Sequence, residues 1–161
     1  MSYDFNADEI FEMAEQIERN GASFYRKSAE LITDPAEKKL LLDLAAMEDE
    51  HEKTFADLRA GLSEKEKVAT VFDPEGEISL YLRALADTRV FFEKKIDTSS
   101  IEDVFKEAIL AEKDSIVFYL GMKEMVPENL GKAKIDAIIK EEMNHIKLLS
   151  KALVMENLKG N

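Results

Sequence analysis

The sequence predicts an all-α fold: an antiparallel four-helix bundle of two helix pairs, joined by a long crossover connection that contains a short fifth helix. Three observations predict it. Only three prolines and six glycines interrupt the 161 residues, and most of them fall between long periodic stretches. Within those stretches apolar residues recur at three- and four-residue steps, the period of a helix with one buried face. A shift of 94 residues lays the first pair of stretches on the second without a gap, so the chain contains one helix pair twice.

The elements follow in order. Residues 7–32 form a first helix, with Ile10, Ala14, Ile17, Gly21, Phe24, Ser28 and Leu31 on one stripe. Asn6 is its N-cap, and Asp8 and Glu9 suit the positive end of the helix. Thr33-Asp34-Pro35 is a stop and restart, in which Asp34 caps and Pro35 takes the first helical position. The second helix covers 35–61 and ends near Gly61. Residues 62–100 differ in kind: Ser63 to Lys67 is charged, Asp73-Pro74-Glu75-Gly76 is a turn signal, and Ile78, Tyr81, Leu82 and Leu85 mark a short amphipathic helix. A connection this long suits a crossover along the bundle. Val90, Phe91 and Phe92 within it serve core packing or cover a contact between two copies of the chain. Ser99 or Ser100 caps a third helix over 101–125. Pro127 separates it from a fourth over 129–157. All 161 residues then make one domain, with helix pairs 7–61 and 101–157 flanking the crossover 62–100.

Composition narrows the function. There is no cysteine, which excludes disulfides, thiolate zinc sites and iron–sulfur centres. A net charge of −12 argues against nucleic acid and anionic membranes as partners. No basic-then-apolar leader opens the sequence and no stretch is apolar for the length of a membrane span, so the expectation is a soluble cytoplasmic protein.

The chemistry emerges from charged residues in the wrong place. At heptad spacing the inward seams read Phe11, Glu18 and Tyr25 in the first helix, beside Ala14 and Gly21. The second seam reads Leu41, Leu44, Glu48, His51, Phe55 and Leu58. The third reads Phe105, Ala108, Glu112, Ser115, Tyr119 and Met122, and the fourth Ile135, Ile138, Glu142, His145, Leu149 and Ala152. Each seam is apolar except at its middle, where the four together hold four carboxylates and two imidazoles. Buried carboxylates lose hydration and repel one another. No Lys or Arg lies there to pair with them, and protonating several at neutral pH needs large pKa shifts. Two divalent cations balance four negative charges and take the imidazole nitrogens as ligands. Glu48 with His51, and Glu142 with His145, stand three residues apart and so share a helix face. One Glu from each of two helices plus Glu-x-x-His from each of the other two is the ligand pattern of two-metal carboxylate bundles.

The repeat reinforces this reading. Phe11, Ala14, Glu18, Phe24, Tyr25, Lys38, Glu48 and His51 fall on Phe105, Ala108, Glu112, Phe118, Tyr119, Lys132, Glu142 and His145, and the last of these matches the chain's two histidines. A seam histidine taken alone is more often a hydrogen-bonded core residue. Tyr25 and Tyr119 read equally as core tyrosines and as hydrogen-bond donors to ligating carboxylates. Glu15, Glu50, Glu52 and Glu141 read as solvated helix faces. Met13, Met47, Met122, Met125 and Met143 read as packing rather than ligands.

The runs AILAEKDSIVFYLGM, with Glu112 and Tyr119, and AAMEDEHEKTFADL, with Glu48 and His51, resemble the rubrerythrin branch of the ferritin-like superfamily over nearly the whole chain. The resemblance implies two iron ions, with Glu48 and Glu142 bridging, Glu18 and Glu112 terminal, and His51 and His145 each serving one metal. It also implies a homodimer that reduces hydrogen peroxide or O2, or oxidises ferrous iron. Two departures stand out. Rubrerythrins carry a four-cysteine rubredoxin domain that supplies electrons, so electrons here would come from a separate donor protein. They also carry an extra carboxylate one turn beyond the third-helix ligand, where this chain has Ser115, and Gly21 at the repeat-related position. Manganese or zinc suits the same ligands, and the rival functions are iron handling or storage and a non-catalytic bundle that metal holds together for a partner.

Overall fold

The computed structural model describes residues 7–64, 100–126 and 128–160. The expected Asn6 cap, Pro127, the short helix near 78–85 and the segment with Val90, Phe91 and Phe92 lie outside them. Four long helices form the described structure: α1 (Ala7–Glu30), α2 (Pro35–Ala60), α3 (Ile101–Met125) and α4 (Lys132–Lys159), with a single 3-10 turn at Glu128–Leu130. Among the described residues none of these helices is long and apolar enough to cross a membrane.

Local chemistry sets the starts. The Asp34 carboxylate accepts hydrogen bonds from the backbone N–H groups of Ala36 and Glu37 at 2.9 and 3.0 Å, and Pro35 follows at the first helical position. The Ser100 hydroxyl accepts from the Asp103 N–H at 3.1 Å and starts α3. The fourth helix departs from the expected start at 129. Glu128–Leu130 is a 3-10 turn, and Gly131 takes φ 108° before α4 begins at Lys132. A Cβ at this glycine would lie 2.6 Å from the Leu58 side chain, so a left-handed backbone and a close approach coincide here. The first helix also ends earlier than expected, at Glu30, and Leu31 is 59 % exposed rather than part of the core stripe.

Side-chain bonds between helices fix their directions. Arg59 near the end of α2 bonds Asp8 near the start of α1, and Arg19 bonds Glu52, so these neighbours run antiparallel. Tyr25 of α1 bonds Glu112 of α3, and Tyr119 of α3 bonds Glu18 of α1, so α1 and α3 are antiparallel too. His51 of α2 meets Glu141 of α4, and Met47 meets His145, which makes that pair antiparallel as well. It follows that α2 and α3 point the same way, so the end of α2 and the start of α3 lie at opposite ends of the bundle. This is the up-down, crossover, up-down plan that the sequence predicts.

The core runs the length of the bundle. Ile10, Phe11, Ala14, Leu41, Leu44, Phe55, Phe105, Ala108, Phe118, Met122, Ile135 and Leu149 are wholly buried. Each of the larger side chains contributes about 1.5–3 kcal/mol on burial. These apolar layers lie on both sides of one polar layer, and they hold that layer out of water.

Candidate metal centre

The polar layer consists of six side chains, one from each of α1 and α3 and two from each of α2 and α4. Glu18, Glu48, Glu112, Glu142 and His145 are at most 1 % exposed and His51 is 3 % exposed. All six residues that the seams single out therefore meet in one place. They fall into two groups whose candidate ligand atoms lie within 4.8 Å of one another: Glu18, Glu48, His51 and Glu142, and Glu48, Glu112, Glu142 and His145. The groups share Glu48 and Glu142, and the 94-residue repeat exchanges one group for the other.

The histidines face each other with ring centroids 5.6 Å apart and planes inclined by 19°. Both present Nδ1 to the cluster. His51 Nδ1 lies 3.0 Å from Glu142, 3.5 Å from Glu18 and 3.7 Å from Glu48. His145 Nδ1 lies 2.9 Å from Glu142, 3.2 Å from Glu48 and 3.3 Å from Glu112. These are ion-pair separations, yet neither Nδ1 has a partner in hydrogen-bonding geometry. The same holds for Glu48 Oε1, Glu112 Oε2 and both carboxylate oxygens of Glu142. Buried polar atoms are rarely left so, because each unmet donor or acceptor costs about 1–3 kcal/mol. Six such atoms in one layer, all oxygen or imidazole nitrogen, are what a pair of hard or borderline divalent cations requires.

Without cations the layer can only share protons. Burial, and then the charges of Glu142, Glu18 and Glu112, push the Glu48 carboxyl well above its ordinary range. Burial and the neighbouring Glu142 raise Glu112 to about 8. For His145, burial opposes the charged form, but contacts with Glu112, Glu142 and Glu48 outweigh it and lift the imidazolium to about 12. His51 moves the same way: burial is again overcome, here by Glu142, Glu18 and Glu48. Glu142 is held below its usual value. Burial and the Glu18 charge oppose that shift, and its close contacts with the two imidazoles and Glu112 prevail.

The tyrosines are core residues and hydrogen-bond donors at once. Tyr25 Oη donates to Glu112 Oε1, and Tyr119 Oη donates to Glu18 Oε1. Each reaches across the bundle to the carboxylate of the other half. Both are wholly buried, and desolvation followed by the facing carboxylates keeps both phenols protonated far beyond their ordinary range. Ser115 is buried, but its hydroxyl donates back to the Ala111 carbonyl of its own helix at 3.0 Å, so it offers nothing to the cluster.

Two outer contacts were not foreseen. Glu141, expected on a solvated face, is 59 % exposed, yet its Oε2 lies 2.6 Å from His51 Nε2. Met47, expected only to pack, puts its Sδ 3.2 Å from His145 Nε2. Glu15 is also less solvated than expected: its side chain is 12 % exposed and sits 3.5 Å from Arg59 Nη1. The signal for the first two was available, since the repeat maps position 47 onto position 141, but the residue types differ and nothing marks them out along one helix.

Residues 9–153 match the family model described as Rubrerythrin. No curated protein matches the chain. Among solved structures, a crystal structure described as a ferritin-like diiron-carboxylate protein from Thermotoga maritima superposes with a TM-score of 0.70. It covers 95 % of this chain and 97 % of its own at 23 % identity, which supports the fold.

Proposed function

The chain belongs to the rubrerythrin family, and on that premise we propose that it is a di-iron oxidoreductase that reduces hydrogen peroxide or O2. The carrying observation is the pair of four-residue groups that share Glu48 and Glu142 inside an otherwise apolar core. One metal would be held by Glu18, Glu48, His51 and Glu142 and the other by Glu48, Glu112, Glu142 and His145, so Glu48 and Glu142 would serve both positions. Four carboxylates balance two divalent charges, and hard anionic oxygens favour the ferric over the ferrous state. A pair of ferrous ions held there would supply two electrons, the number that, with two protons, converts one hydrogen peroxide to two waters.

The chain's own residues prepare that reaction. The apolar layers above and below the cluster exclude water, which strengthens every charge interaction within it. Tyr25 and Tyr119 hold protons at Oη on one oxygen each of Glu112 and Glu18 and fix the orientation of those carboxylates. Gly21, at the position of Ser115 in the repeat, keeps side-chain bulk away from Glu18, where a small oxidant would approach. These residues hold no cysteine and so no thiolate-bound iron centre, and reducing equivalents would reach the site from outside this bundle.

Anaerobic loading should take up about two ferrous ions per chain. Addition of peroxide should then oxidise both at once, read by the ultraviolet absorption of ferric carboxylate, with one peroxide consumed per pair. Oxidation no faster than that of free ferrous ion would overturn the reading in favour of a bundle that metal only stabilises.

A further inference from the structure

The two halves of the metal centre match in every buried ligand but differ in what stands behind each histidine. His51 Nε2 is 2.6 Å from the Glu141 carboxylate, and His145 Nε2 is 3.2 Å from the Met47 sulfur. Positions 141 and 47 are related by the same 94-residue shift that relates the ligands. An acidic residue and a thioether thus occupy equivalent places, and the pseudo-two-fold symmetry is broken there.

We propose that the two metal positions are inequivalent, and that the position served by His51 binds divalent metal more tightly and fills first because Glu141 backs its histidine with a carboxylate. The inference rests on the two-metal reading above. A carboxylate 2.6 Å from Nε2 accepts the ring N–H, which fixes the tautomer with its lone pair on Nδ1, the atom that faces Glu18, Glu48 and Glu142. The anionic acceptor also makes the imidazole a stronger donor to a cation. A thioether sulfur is a weak, neutral acceptor and does neither well. His145 Nδ1 faces its own three carboxylates at similar distances, so the buried side offers no compensating difference. Glu141 is therefore a positioning residue: it touches no metal ligand other than His51 and acts through that ring.

Two cations at neighbouring positions repel, so unequal binding steps alone would prove nothing. What matters is which histidine owns the first step and whether Glu141 sets it. The metal-free full-length chain is titrated with Co(II) under argon, following visible absorption and the paramagnetically shifted imidazole N–H resonances. The expected result is two ions per chain, with the His51 N–H signal appearing over the first equivalent. Glu141→Gln keeps the shape and removes the charge; it should weaken the first step about 10–100-fold, leave the second nearly unchanged, and abolish the ordered filling. Met47→Glu should strengthen the second step towards the first. Two bound ions with both steps unmoved by Glu141→Gln would overturn the inference and leave the two-metal reading standing. Fewer than two ions in the wild-type chain would overturn the two-metal reading itself. Signals of His145 appearing first would overturn the assignment of the tighter position.

Discussion

The two helix pairs solve the same problem with the same buried residues and finish it differently. Glu18, Glu48 and His51 on one side and Glu112, Glu142 and His145 on the other are superimposed by one shift, and so are the tyrosines that bond across to the opposite carboxylates. Outside that layer the halves part. Glu141 stands where the other half has Met47, Ser115 where it has Gly21, and the left-handed Gly131 starts α4 where Asp34-Pro35 starts α2. The difference teaches where each constraint lies. The buried ligands match, as two neighbouring positions for divalent cations would require of their donors. The supports around them need only hold those donors in place, and they are free to differ.

The largest effect should come from the residues that the halves share. Glu142→Ala removes an oxygen pair from both groups at once, whereas Glu112→Ala touches one. Metal analysis of anaerobically loaded protein should find the Glu142 variant close to metal-free and the Glu112 variant with about one ion per chain, on the two-metal pattern. Equal loss from both variants would show that the two groups are not separate positions.

Protonation sharpens the comparison between the loaded and the metal-free protein. Glu112 binds its proton up to about pH 8 in the fold, against the ordinary 4.5 of an exposed glutamate. The folded chain therefore holds more protons than the unfolded chain over that window, and stability falls as pH rises through it. His145 acts in the same direction, present in full below 6.5 and lost towards about 12. Metal binds the deprotonated ligands and releases those protons, so its affinity rises with pH. Thermal melts of the metal-free protein should show a falling Tm between pH 5 and about 8.5, and the gap between loaded and metal-free Tm should widen over the same range. A metal-free Tm that climbs with pH would contradict the assignment of protons to this layer.

The tyrosines test whether the halves are equivalent where they look it. Tyr25→Phe and Tyr119→Phe each leave a buried carboxylate oxygen without its donor, at a cost of about 1–3 kcal/mol by denaturant unfolding. The two costs should agree, because each phenol bonds the repeat-related glutamate. A clear difference would mean that the asymmetry at Glu141 and Met47 extends inward to the terminal ligands.

Much of this was legible along the chain. Four seams with charged centres, a gapless repeat and Glu-x-x-His twice over specify both the bundle and the six buried residues, because a period of three to four residues fixes which side chains share a face. Glu141 escaped that logic. It lies one residue before a ligand, about 100° around the helix from Glu142, and only the packing of α2 against α4 brings it to His51. Met47 is hidden in the same way, since an outward methionine on one helix says nothing about a ring on another. Contacts between different helices at the edge of a core depend on helix rotation and crossing, and a single helix's periodicity does not encode either.

The start of α4 is the other place where the repeat misleads. Shifting the Pro35 start by 94 residues gives 129, yet the helix begins at Lys132 after a 3-10 turn and a glycine at φ 108°. Gly131 can be contrasted with Gly61, which ends α2 at φ −78° with only ordinary contacts, at 3.5 Å, around a virtual Cβ. Alanine at 61 adopts that backbone freely and meets only these van der Waals contacts, so Gly61→Ala should move unfolding stability by less than about 0.5 kcal/mol. Alanine at 131 would have to accept a left-handed backbone and displace the Leu58 side chain, so Gly131→Ala should cost roughly 1–2 kcal/mol. Denaturant unfolding of the metal-free variants measures both without interference from the metal centre. The comparison turns on the sign of φ, since both glycines sit at helix ends and are equally inconspicuous in the sequence. A Gly131 variant as stable as the Gly61 variant would mean that the 128–131 turn relaxes into a continuous helix from 129, the start that the repeat predicts.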